Sequence, residues 1–197
     1  MSIDRLAQQI EFVVELDKLK HILRQTVLMD ASRRENSAEH SWHLALMATV
    51  LAEHTDEPVD VAHAVKMLLI HDIVEIDAGD TFCYDQLGVL DQADREQLAA
   101  ERIFGLLPAG QAEELRALWH EFEARETAEA RFAAAMDRIQ PLLHNFHTKG
   151  GTWAQHGITH AQVLQRMAPV ANSSARLAEY VQSMIDQAVV LGYIKPE

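Results

Sequence analysis

Two histidines and two aspartates in this chain are spaced so that helices could turn them toward one point: His40, His71, Asp72 and Asp137. His40 lies four residues before Leu44, on the same stripe as Leu44, Met47 and Leu51, so its imidazole points inward near a helix start. One inward histidine is more often a hydrogen-bonded core residue than a ligand. The neighbours His71 and Asp72 change that reading. Adjacent helical residues diverge by about 100°, so both cannot sit on one apolar face, but both can straddle an object beside the helix. Asp137 flanks the stripe Phe132, Met136, Ile139, Leu143, where an unpaired carboxylate is expensive to desolvate. Either an ion pair, with Arg138 or with another helix's arginine, or a bound cation must compensate it. Two imidazoles and two carboxylates from three helices form a mixed nitrogen and oxygen set. Such a set suits one divalent ion (Mn, Co, Fe, Ni, Zn or Mg) and leaves coordination positions open for chemistry.

Helices must carry these groups. Apolar residues recur at helical spacing over 4–24 (Leu6, Ile10, Val13, Leu16, Leu19, Leu23), predicting one amphipathic helix. Asn36 followed by Glu39 predicts a capped helix start running to about His54. Pro58 opens a third helix with Val61, Ala64, Met67, Leu68, His71 and Val74 inward, and Gly79 stops it. A surface loop is expected from Thr81 to Asp91, then helices over 92–106, 109–125 and 128–147, with Pro141 kinking the last one turn after Asp137. Gly150-Gly151 ends that helix, and helices near 159–168 and 174–191 follow. No strand-like run, repeat or low-complexity tract stands out. The expectation is an all-α helical bundle, one domain over 1–197 with its site core at about 19–153 and C-terminal helices at about 159–191.

The formal net charge of −13 argues against coating a nucleic acid polymer, which requires clustered Lys and Arg. It also means that a phosphate-handling site needs local positive charge. No apolar run approaches the ~18 residues of a membrane span, the start MSIDRLAQQI lacks a signal pattern, and Cys83 is the lone cysteine. These features predict a cytoplasmic protein without a membrane partner.

The motifs then become specific. Ala38-Glu39-His40-Ser41-Trp42, His71-Asp72-Ile73-Val74-Glu75-Ile76-Asp77-Ala78-Gly79-Asp80 and Asp137 resemble the H…HD…D signature of the HD superfamily of metal-dependent phosphohydrolases. The HDxxExxxGD extension resembles the small subgroup that includes bacterial 5'-deoxynucleotidases, and the likeness covers most of residues 19–153. It implies an HD-type bundle, a metal held by His40, His71, Asp72 and Asp137, and release of phosphate from nucleoside 5'-monophosphates, deoxy forms preferred. It also implies a homodimer. Asp72 and Glu75 are the expected catalytic residues; Glu75, one turn after His71, would orient a water or move its proton. Asp80 matches a residue at the substrate. Leu19-Lys20-His21-Ile22-Leu23-Arg24 resembles a segment whose arginine contacts substrate phosphate, so Arg24 answers the need for positive charge. The chain departs from the subgroup at Gln25, where the subgroup has tryptophan, and its join to the Glu-His motif is one residue longer; both bear on deoxyribose selectivity. Hydrolysis of another phosphoester or phosphoanhydride, and nucleotide binding without turnover, are the rival readings. Cys83, His144, His147, His156 and His160 are expected in core or surface roles.

Overall fold

The computed structural model of the chain describes residues 4–85, 87, 88 and 90–196; part of the expected 81–91 loop (Gln86 and Val89) and the extreme termini lie outside the described residues. Helix α1 (Arg5–Glu15) is capped by the Asp4 carboxylate, which accepts from the Leu6 amide. It stops well short of the predicted helix over 4–24. Leu16–His21 tightens into a 3-10 turn, and Leu23–Val27 becomes a strand, β1, antiparallel to β2 (Arg34–Asn36) with an irregular register. The expectations of one long helix and of no strands are thus corrected. The cause is tertiary: Leu6, Ile10 and Val13, the first half of the predicted stripe, remain exposed without a partner, while Phe12, which lies off the stripe, and Leu19 go into the core. Past His21 the backbone instead bonds to the following segment, with the Ile22 carbonyl accepting from the Ser37 amide at 3.0 Å.

Helix α2 (Ser37–Leu51) starts at the expected cap, where Asn36 accepts from the Glu39 amide and the Glu39 carboxylate accepts in return from the Asn36 amide. Helix α3 (Val61–Ile70) ends earlier than the predicted continuous helix to Gly79. His71 caps it, and the chain runs through tight turns, with Ile73 N–H bonding the Ile70 carbonyl and Glu75 N–H the Asp72 carbonyl, before the one-turn helix α4 (Glu75–Ala78). Gly79 takes φ 76°, a left-handed angle that glycine adopts without strain, and the chain reverses there into Asp80.

Helices α5 (Gln92–Phe104), α6 (Ala109–Ala124) and α7 (Ala128–His147) follow the predicted bounds closely. A short α8 (Gly151–His156), read in the sequence only as a helix stop, precedes α9 (His160–Met167) and α10 (Ala175–Val190). Helix α7 is the axis of the core and contacts α2, α3, α6, α8, α9 and α10. Its buried Ala133, Ala134 and Ala135 let neighbours approach closely, while Phe132, Met136, Ile139 and Leu142 fill the space around them. Pro141 sits inside this helix, which continues to His147; lacking an N–H, it leaves the Asp137 carbonyl without its helical donor. The chain is an all-α helical fold carrying one small sheet. No helix among the described residues is long and apolar enough to cross a membrane.

Candidate metal centre

Four elements bring the predicted residues together. His40 lies in the first turn and a half of α2, held there by the capping box; His71 and Asp72 follow α3; Asp137 projects from mid-α7; Arg24 comes from β1. His40 Nε2 is 3.2 Å from Asp137 Oδ1 and 3.8 Å from Asp72 Oδ2. His71 Nε2 is 3.0 Å from Asp72 Oδ1 and 3.9 Å from Asp137 Oδ1. Donor atoms ~2.0–2.2 Å from a shared ion would lie roughly 3.0–3.5 Å apart at neighbouring coordination positions, so this spacing needs little adjustment to hold one.

The tautomer of His71 sharpens the point. Its Nδ1–H donates to the Leu68 carbonyl at 2.9 Å, an acceptor with no proton to give. Burial lowers the His71 pKa, so the ring is neutral and Nε2 carries a bare lone pair. That nitrogen is buried without a hydrogen-bond partner and faces a carboxylate oxygen at 3.0 Å. Lone pair against anion is repulsive unless a cation stands between them, so the residues present fit a divalent metal ion. His40 is oriented from behind: its Nδ1 lies 3.5 Å from the buried Glu35 carboxylate.

Arg24 stands among carboxylates. Its Nη1 bonds Asp72 Oδ2 at 2.7 Å and lies 3.7 Å from both Glu75 Oε1 and Asp80 Oδ1, while Nη2 is 3.9 Å from Asp137 Oδ1. Burial disfavours its charge, but these acids outweigh burial and raise its pKa. Glu75 goes the other way: burial, then the Asp72 charge, push its carboxyl well above the usual range, and Ser37 Oγ–H donates to its Oε2 at 2.6 Å. Asp80 is raised by burial as well. Asp137, despite its burial, is held well below the usual range by the His40 hydrogen bond and the Arg166 charge. Burial and Arg24 oppose a proton on His40, yet Asp137 and Glu35 prevail and hold its pKa up at about 9.

All of the predicted site residues thus converge, except that Glu75 reaches the cluster from the start of α4 and not from a regular turn after His71. Asp137 makes no ion pair with Arg138, which turns its Nη1 to the Ala134 carbonyl; its arginine contacts are Arg166 at 3.4 Å and Arg24. Arg166, on α9, carried no sequence signal: nothing in its spacing ties it to a residue 29 positions earlier. Glu35 and Gln140 were also missed. Gln140 Nε2 lies 2.5 Å from Glu35 Oε1, 3.0 Å from His144 Nε2 and 3.4 Å from His43 Nδ1. His144, expected in a core or surface role, therefore belongs to a buried hydrogen-bond cluster behind His40, in which the glutamine amide fills the centre.

The donors open onto a cavity of about 300 Å³. Phe82, Tyr84 and Trp153 supply aromatic surface there, and Arg125, Arg138 and Arg166 supply positive charge. Arg138 is buried; burial, followed by the charges of Arg166 and Arg125, lowers its pKa to about 10.

An HD-domain family model matches residues 16–178, more than half of the chain. The chain belongs to the HD-domain family. This HD-domain chain is 30% identical over 135 residues to human "5'-deoxynucleotidase HDDC2", a match covering 68% of this chain and 65% of that protein, so it spans just under two thirds of the curated relative's length. Among solved structures it is similar to a "Predicted metal-dependent phosphohydrolase" from Magnetospirillum magnetotacticum MS-1, with 59% identity, TM-score 0.94, and 98% and 96% of the two chains covered. An HD-domain phosphohydrolase from Listeria innocua, 17% identical with TM-score 0.61 over 92% of this chain and 85% of its own, shares the fold.

Proposed function

We propose that this HD-domain protein is a metal-dependent phosphohydrolase that releases phosphate from nucleoside 5'-monophosphates, with deoxy forms preferred. The observation that carries this reading is the unpartnered Nε2 of His71 facing Asp72 Oδ1 inside a cluster of two imidazoles and two carboxylates. A divalent ion held by His40, His71, Asp72 and Asp137 would supply Lewis-acid polarisation of the phosphoryl group and make a nearby water more acidic. The protein's own groups do the rest. Glu75 Oε2 is engaged by Ser37, which leaves Oε1, on the Arg24 side, to exchange a proton with the cavity. Its raised pKa suits it to take the proton of the attacking water as the new P–O bond forms and return it to the departing 5'-oxygen as the ester P–O bond breaks. The aromatic side chains of the cavity suit a base, and Asp80, beside Arg24, suits a sugar hydroxyl. The preference for deoxynucleotides rests on the likeness to the human 5'-deoxynucleotidase.

The test is a phosphate-release screen of deoxy- and ribonucleoside mono- and triphosphates, each with Mn, Co, Mg or Zn. Inorganic phosphate from deoxynucleoside monophosphates, lost on chelation and regained with metal, is the expected result. Release of a larger fragment from triphosphates, or tight nucleotide binding with no phosphate released under any metal, would overturn it.

A further inference from the structure

Arg24, the arginine that sequence likeness marks for phosphate, already has four carboxylates within 3.9 Å. In the metal-free fold its charge is therefore compensated before any anion arrives. Two other arginines lining the same cavity are in a different condition. Arg138 is 4% exposed, its Nη1 bonds only a backbone carbonyl, and its Nε is buried with no partner. Among the described residues no carboxylate pairs with it, although the chain holds 30 acidic side chains. A buried guanidinium without a counter-charge is strongly unfavourable, and an incoming anion relieves it. Arg166 has a single hydrogen-bonding or ion-pair partner among the described residues, Asp137 Oδ2 at 3.4 Å, and at 29% side-chain exposure can be reached from the cavity.

We propose that Arg166, backed by the charge of Arg138, is a further subsite for the phosphate group of the substrate, in addition to Arg24. The proposal rests on the phosphohydrolase reading and sharpens it. Its geometric basis is the Arg166–Asp137 contact, which sets a guanidinium beside the donor cluster, so that a phosphate bound at that cluster lies within reach of the planar N–H fork. The ligand class is a phosphate dianion, arriving either as a phosphomonoester or as inorganic phosphate.

Inorganic phosphate is the direct probe. Calorimetric titration into wild type, R166A, R166K and R138M, each chelated and Mn-loaded, is combined with steady-state kinetics on a deoxynucleoside monophosphate. R166A is expected to weaken phosphate binding by about tenfold or more and to raise KM, with R166K recovering part of the loss and Mn binding retained. R138M removes a buried side chain and can fail to fold, so the part-exposed Arg166 carries the decision. Phosphate affinity and KM unchanged in R166A, or no phosphate binding by wild type, overturns the subsite even if nucleotides are hydrolysed. Phosphate binding that depends on Arg166 in a protein that hydrolyses no ester leaves the subsite standing and removes the enzymatic reading.

Discussion

Replacing Arg24 with methionine keeps most of the side-chain volume and removes the charge at the middle of the acidic cluster. In the metal-free protein, Asp72, Glu75, Asp80 and Asp137 then lose the cation that lies 2.7 to 3.9 Å from them. Removing one member of a buried ion pair costs about 3–5 kcal/mol. For a domain of this size each kcal/mol moves Tm by roughly 2–4 °C, so chelated R24M should melt about 6–20 °C below chelated wild type. Metal reverses the order of responses. In wild type a cation held by Asp72 would compete with Arg24 for its Oδ2, whereas in R24M that oxygen would be free of the arginine. A cation at a hundred times its Kd stabilises by about 2.7 kcal/mol, and because its Kd is lower in R24M, the same total Mn or Co should raise the mutant's Tm further than that of wild type. Scanning calorimetry at fixed pH, with and without EDTA, reads both effects. A chelated R24M that melts within about 2 °C of wild type, or equal metal-induced increments in the two proteins, would refute the reasoning.

Three further outcomes follow from the same geometry. D137A should lower both metal affinity and turnover, while E75Q should retain metal and lose turnover by about 10²–10⁴-fold; metal analysis beside initial rates separates them. His40 holds a proton up to about pH 9 in the metal-free fold against 6.5 as its ordinary value, so its contribution is complete below pH 6.5 and disappears as pH rises through 9. Chelated wild type should therefore lose up to about 3 kcal/mol of stability over that interval, and H40N should lack this component in a pH series of denaturant melts. N36A removes the cap on which the placement of His40 depends and should cost about 0.5–2 kcal/mol by urea unfolding, with a measurable loss of metal affinity.

Much of this protein is legible in local pattern. The capping box at Asn36 and Glu39 and the helical bounds of α5, α6 and α7 depend on backbone valence and side-chain periodicity within a few residues, and those are written in the chain itself. The break at His71–Val74 is hidden because its apolar spacing continues across it, and the i→i−3 backbone bonds of Ile73 and Glu75 are what show that the regular helix has stopped. The hairpin at 23–27 and 34–36 was hidden for the complementary reason: a strand is stabilised by a partner backbone, and the pattern of either half alone does not name that partner.

His40, His71-Asp72, Glu75, Asp80 and Asp137 could be named as one cluster before any coordinates, because the H…HD…D pattern and its HDxxExxxGD extension depend only on residue type and order. Which charge meets which emerges only in the folded packing. Arg24 lies among the acids, Arg138 is turned from its neighbour Asp137, Arg166 arrives from α9, and Glu35 stands behind His40. Coulomb energy depends on separation in space and on burial, and neither can be read from distance along the chain.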